Sequence, residues 1–193
     1  HWAQTTLDTM WTFLERIKKN PAEKENPQAS GKLAKRMKHL ALPNPVFQPF
    51  SPWTEKLNGT AYQVEDGAFY LMDHGVEVIM GGSPLPPSIR EFTMQFACDS
   101  MTLHMKDGTQ TFDLTAGMDG SRRWNQLPGS VVGQVLANAY WEKENVLILE
   151  LRKIETCGQE KLTFTFSDNQ VSIDRENNML FQSEADLVMA KRK

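Results

Sequence analysis

YWEKENVLILELRKIETCGQEKLTFTFSDNQVSIDRENNMLF, residues Tyr140 to Phe181, decides the fold class of this chain. Val146, Ile148 and Glu150 alternate with Leu147, Leu149 and Leu151, and a period of two marks a strand with at least one buried face. Leu162, Phe164 and Phe166 then alternate with Thr163 and Thr165, residue types that favour the pleated conformation. Ser167-Asp168-Asn169 supplies turn chemistry, because Asp and Asn tolerate left-handed backbone and hydrogen-bond their own neighbours. Val171 and Ile173 share one face of the next run, Ser172 and Asp174 the other. Three strands joined by turns this short predict an antiparallel meander.

The pattern extends upstream and downstream. Strand-like runs fall near 60–65, 68–72, 76–80, 90–97, 100–106, 109–115, 133–142, 145–155, 160–167, 170–175 and 186–190. Asp107-Gly108 is the sharpest turn, read as a two-residue hairpin whose central residues both accept positive φ. Because closure removes exposed edges, so many short sequential strands predict an antiparallel up-and-down barrel or a strongly curled sheet. Trp141 is placed in the barrel core or at its mouth.

The front of the chain reads differently. Trp2, Leu7, Met10, Trp11, Leu14 and Ile17 recur at three- and four-residue spacing, which predicts an amphipathic helix ending near Lys18-Lys19 and stopped by Pro21. A second helix is expected over 28–42, with Leu33, Met37, Leu40 and Ala41 as its apolar stripe. Pro43, Pro45, Pro49 and Pro52 then forbid regular structure and make an extended strap. The division is a helical linker or docking segment, 1–43, and an antiparallel β-barrel domain, 44–193.

With the residues in view, a resemblance can be stated. Trp141 followed by the strand Leu147 to Leu151, then Ile154-Glu155-Thr156, Leu162-Thr163-Phe164 and Asp174-x-Glu176-x-Asn178-x-x-Phe181 resemble the C-terminal accessory domain of bacterial serine β-lactamase-like, penicillin-binding-protein-like hydrolases. Arg123-Trp124, Gly59-Thr60-x-Tyr62 and the stretch Leu33 to Leu42-Pro43 echo it further upstream. Ala68 to Pro87 departs as an insertion, and Cys157 stands where the family pattern has proline. The resemblance implies a lipocalin-like barrel and, as partner, a catalytic domain upstream of His1 in the same polypeptide. The start at His1-Trp2 reads as the middle of a longer protein.

Composition bounds the rest. The 193 residues carry a net charge of −3, unevenly placed. Residues 1–43 hold 8 Lys or Arg against 4 Asp or Glu, and the remainder 13 against 20. An acidic barrel domain lacks the basic stripe with exposed aromatics that nucleic acid requires, so no nucleic-acid partner is expected. No run of about 18 apolar residues suggests a membrane span. Cys98 and Cys157 make no framework and no CxxC motif. His1, His39, His74 and His104 have no metal-ligand spacing, and neither metal nor cofactor is expected.

Catalytic machinery is not found. A β-lactamase-type enzyme needs Ser-x-x-Lys, yet Ser30, Ser51, Ser121 and Ser130 are followed at the third position by Leu33, Thr54, Trp124 and Gly133. Glu150 and Glu155, five apart on one strand, point to opposite faces and cannot act as paired carboxylates.

The residues singled out as partner or cleft contacts are Trp11, Arg122, Arg123, Trp124 and Glu155. Arg122 and Arg123 pair well with carboxylates, while a bland loop with a cation–π contact is the competing reading. Glu155-Thr156 reads as a partner contact or as a local turn-stabilising bond. Ten methionines serve as core fillers or line a plastic apolar cavity. Two functions compete: a noncatalytic accessory domain that docks on a serine hydrolase and shapes its entrance, and a lipocalin-like module for a small apolar ligand.

Overall fold

A computed structural model describes residues 2–19, 26–40, 44–71, 88–128, 133–178 and 187–193. Contacts divide the chain into two compact units, His1–Pro43 and Asn44–Lys193.

The first unit holds α1 (Trp2–Lys19) and α2 (Pro27–Lys38). Threonines on the polar face of α1 return their hydroxyls to the helix, Thr9 Oγ1 to Thr5 O and Thr12 Oγ1 to Asp8 O, each at 2.8 Å. Asn26 caps α2 by accepting the Ala29 N–H at 3.0 Å, and Pro27 fills the first turn, where its missing N–H costs nothing. The helix ends at Lys38, four residues before the expected Leu42. His39 and Leu40 donate to the carbonyls of Arg36 and Met37, tightening the last turn, and Pro43 disfavours helical backbone just before it.

The second unit is mainly β. Its short helix α3 (Trp53–Leu57) precedes β1 (Ala61–Asp66), β2 (Glu91–Phe96), β3 (Ser100–Lys106), β4 (Thr111–Gly117), β5 (Arg123–Gln126), β6 (Gln134–Lys143), β7 (Val146–Lys153), β8 (Gln159–Phe166), β9 (Gln170–Asn177) and β10 (Val188–Arg192). The sheet runs β4-β3-β2-β1-β10-β9-β8-β7-β6-β5, each neighbour antiparallel. A parallel bridge from Gly117 of β4 to Asn138 of β6 joins its ends, so nine strands form a closed barrel with β5 added at the seam. This is the up-and-down barrel that the alternation predicts.

Alternation places the core. Tyr62, Phe92, Met94, Met101, Leu103, Leu114, Trp141, Leu149, Phe164 and Ile173 all face inward and are buried. Leu57 and Trp53 of α3 pack against this interior from one end, with the Trp53 ring stacked 6.2 Å from Phe166. The proline strap is tied to the barrel: Trp141 N–H donates to Gln48 O at 2.8 Å, and Ser51 Oγ to Glu144 O.

Three local readings need correction. The turn at Asp107-Gly108 is centred one residue later. Asp107 N–H closes on Gln110 O, its Oδ1 accepts from Thr109 and Gln110, and Gly108 has a φ of +103°. Neither β5 nor α3 was expected: β5 spans only four residues, and α3 follows directly on the prolines of the strap. The expected strands at 76–80 and most of the insertion, 72–87, lie outside the described residues.

Candidate functional site

The interior is the site that the fold builds. Its two ends differ, because alternate connections of a meander emerge on the same side. At one end α3 and the tight connections at 97–99, 118–122, 144–145 and 167–169 surround Trp53, Trp141, Phe96 and Phe166, with Phe96 stacked 6.0 Å from Trp141. At the other end lie the turns 107–110 and 154–158.

Aromatic rings fill the middle. Phe92 and Phe164 lie 6.2 Å apart, edge to face, and Tyr62 stacks 5.4 Å from Phe92. Burial pushes the Tyr62 hydroxyl upward in pKa. Met94, Met101 and Met105 of β2 and β3 line the wall beside Phe92, with Met118 just past β4, all buried. Unbranched thioethers repack at low cost, so this wall is the deformable side of the interior.

Polar groups interrupt the apolar lining, Lys153 on the inward phase of β7 and Asn125 of β5 among them. Glu160 and Arg175 occupy inward positions on β8 and β9, with Arg175 Nε 3.5 Å from Glu160 Oε1 and both side chains almost wholly buried. The Arg175 guanidinium also lies 4.4 Å from the Tyr70 ring and donates to its hydroxyl at 3.4 Å. Another polar group is the Trp141 Nε1–H. It is buried and meets no acceptor among the described residues.

Outside the barrel, a groove of about 360 Å³ runs over β6 to β9, lined by Arg122, Asn138, Glu150, Arg152, Lys161 and Glu176. Asn138 Nδ2 donates to Glu150 Oε2 at 3.0 Å. Burial, with Glu150 and Glu142 nearby, raises the Tyr140 hydroxyl to about 12. Among the described residues no group of three or more His, Cys, Asp or Glu is placed to hold a metal ion. No described helix is long and apolar enough to cross a membrane.

The residues singled out from the sequence fall in both units, Trp11 in the first and Arg122, Arg123, Trp124 and Glu155 in the second. Trp11 is exposed on α1. Arg122 borders the outer groove. Arg123 is a clamp between turns, 2.9 Å from both Asp99 and Asp119, and it holds the Asp119 carboxyl well below the usual carboxylate range. Trp124 is exposed on β5, its Nε1 3.4 Å from Gln134 Oε1. Glu155 is exposed at the β7–β8 turn, where it is Thr156 that accepts a local bond from the Gly158 N–H. Sequence reasoning passed over Glu160 and Arg175. Their signal was legible, since opposite charges stand on the apolar phase of neighbouring strands.

No family model matches the chain, and no curated protein matches it. Solved structures do align with it. The fatty acid-binding protein in brain tissue of Drosophila melanogaster does so at 13% identity, covering 71% of this chain and 99% of that one, with a TM-score of 0.49. A Schistosoma mansoni fatty acid binding protein in complex with arachidonic acid aligns at 8% identity over 72% of this chain and 96% of that one, with a TM-score of 0.48. The fluorescent protein UnaG aligns at 11% identity, 72% and 98% coverage, and a TM-score of 0.49.

The resemblance to the accessory domain of β-lactamase-like hydrolases is therefore withdrawn, together with the upstream catalytic partner it implied. No sequence family supports it, and the solved structures that align are two fatty acid-binding proteins and a fluorescent protein. The matched positions are ones that any such meander demands. Trp141, Leu147, Leu149, Leu162 and Phe164 are barrel interior. Asn178 pins a turn through its bonds with the Gln159 N–H and the Cys157 carbonyl. Strand and turn lengths alone reproduce such spacing over about forty positions.

Proposed function

We propose that the barrel is a noncatalytic binding module that takes a small, largely apolar ligand into its interior, and that residues 1–43 and 44–193 act as separate docking and binding modules. The observation that carries the binding reading is the buried Trp141 Nε1–H, which has no acceptor among the described residues, in an interior lined by aromatic rings and methionines. A buried donor without an acceptor costs about 1–3 kcal/mol, and a ligand oxygen beside it would recover that cost. An apolar lining with a few placed polar groups is the usual character of a small-molecule site. Because the rings already stack on one another, the ligand makes its room by moving the thioethers of Met94, Met101 and Met105.

Dodecanol, an apolar chain with one acceptor oxygen, is the probe. Its titration into the full chain, followed by the Trp141 indole N–H resonance, should shift that signal saturably. Ala137→Leu, which fills the interior, should weaken binding by about tenfold or more, while Met101→Ala, which opens it, should not. An indole signal unmoved at saturating dodecanol in both the parent chain and Met101→Ala contradicts the reading.

A further inference from the structure

The two N-terminal helices carry a pattern that the barrel's ligand does not use. At 100° per residue, Leu7, Met10, Trp11, Phe13 and Leu14 fall on one half of α1, opposite Thr5, Asp8, Thr12, Glu15 and Arg16. All five apolar residues are exposed, Trp11 and Phe13 to more than 60%. On α2 and the residues just after it, Leu33, Met37 and Leu40 share one face and are also exposed, while Lys32, Lys35, Arg36 and Lys38 spread over the other. No acidic residue occurs between Pro27 and Leu40, and no residue of α2 is buried.

We propose that this helical unit is an interfacial anchor that lies in the plane of an anionic lipid surface, α1 inserting its aromatic face and α2 supplying the charge. Charge complementarity selects this occupant. The cations of α2 cover the whole polar half of the helix, as a diffuse sheet of lipid phosphates demands; a carboxylate pair on a protein would call for a single focus. Lysine stems rising from the apolar boundary can bury their methylenes while the ammonium groups meet the headgroups. Trp11 and Phe13 sit where an interfacial helix places its aromatic residues. Neither helix is long and apolar enough to cross the bilayer.

The test is flotation of the full chain with vesicles of phosphatidylcholine containing about one third phosphatidylglycerol, against phosphatidylcholine alone. The chain should float with the anionic vesicles and lose most of that binding at about 0.5 M salt, where exposed charges are screened. Each cation removed should weaken binding about fivefold, so Lys32→Gln, Lys35→Gln, Arg36→Gln and Lys38→Gln together should abolish it at ordinary lipid concentrations. Trp11→Ser with Leu14→Ser should weaken binding to the same vesicles without changing its salt dependence. All these positions are exposed, so barrel unfolding should be unchanged in each variant. Absence of flotation, equal binding to neutral vesicles, or self-association that ignores vesicles would each overturn the proposal. Ala137→Leu should float normally, which separates this anchor from the interior ligand.

Discussion

Asn125 of β5 and Thr115 of β4 exchange two hydrogen bonds, Thr115 N–H to Asn125 Oδ1 and Asn125 Nδ2 to Thr115 O, each at 2.8 Å. One amide side chain thus satisfies both backbone groups of a residue at the barrel seam, in place of a neighbouring strand's peptide. Asn125→Ala should leave a partly buried N–H and a partly buried carbonyl without this side chain and cost about 1–3 kcal/mol. Asn125→Asp keeps an acceptor for the N–H but turns a carboxylate toward the Thr115 carbonyl, so it should be more stable at low pH than at neutral pH relative to the parent. Urea midpoints at two pH values check both.

Glu160 and Arg175 form the charged pair inside the barrel, with side chains 1% and 6% exposed. Removing one partner takes a neutralising charge out of a poorly solvated interior, so Glu160→Met or Arg175→Met should each destabilise the barrel. The double substitution should cost well under the sum, since it removes both desolvation terms. A double-mutant cycle in equilibrium unfolding measures this, and additive single effects would show that the pair does not act as a unit.

Arg123 ties together two turns at the α3 end of the barrel. The Arg123 guanidinium, with help from Ser121, depresses the Asp119 carboxyl. A depressed carboxylate contributes stability that is present above its unfolded value of about 4 and is lost as pH falls toward its folded value. The parent chain should therefore lose stability between about pH 4 and 2, and Arg123→Met should lose less over the same range. Unfolding midpoints across that range decide the point.

Tyr140 gives the complementary case at high pH. Burial first, then Glu150 and Glu142, raises its hydroxyl to about 12. The neutral phenol is favoured in the folded chain, so its contribution is present below the unfolded value of about 10 and is lost as pH rises through about 12. Ultraviolet titration of tyrosinate should show this high step, absent in Tyr140→Phe and moved downward in Glu150→Gln.

Much of the barrel was legible in residues 140–181 because period-two alternation survives wherever one strand face is wet. Leu162 to Phe166 therefore revealed strand and face together, whereas Val146 to Leu149 is buried on both faces and read as a strand by its continuous apolar run. What was not legible depends on side chains whose local sequence is uninformative. Asn125 reads as an ordinary polar residue until the seam brings Thr115 beside it, and α3 forms in five residues because Trp53 and Leu57 gain burial against the barrel end. Arg123 looked like a recognition residue because guanidinium suits carboxylates; it does bind two, both within this chain. Family spacing misled for the same reason that alternation succeeded: regular strands and tight turns repeat their intervals in unrelated chains.

The methionines offer the most direct test of the central claim. With methyl-¹³C methionine, Met94, Met101, Met105 and Met118 report the interior, while Met10 and Met37 report the exposed helices. Dodecanol titrated into the full chain should shift the four interior methyl resonances along one saturable curve and leave Met10 and Met37 in place. Shifts confined to Met10 and Met37, with the interior four unmoved, would contradict a ligand inside the barrel.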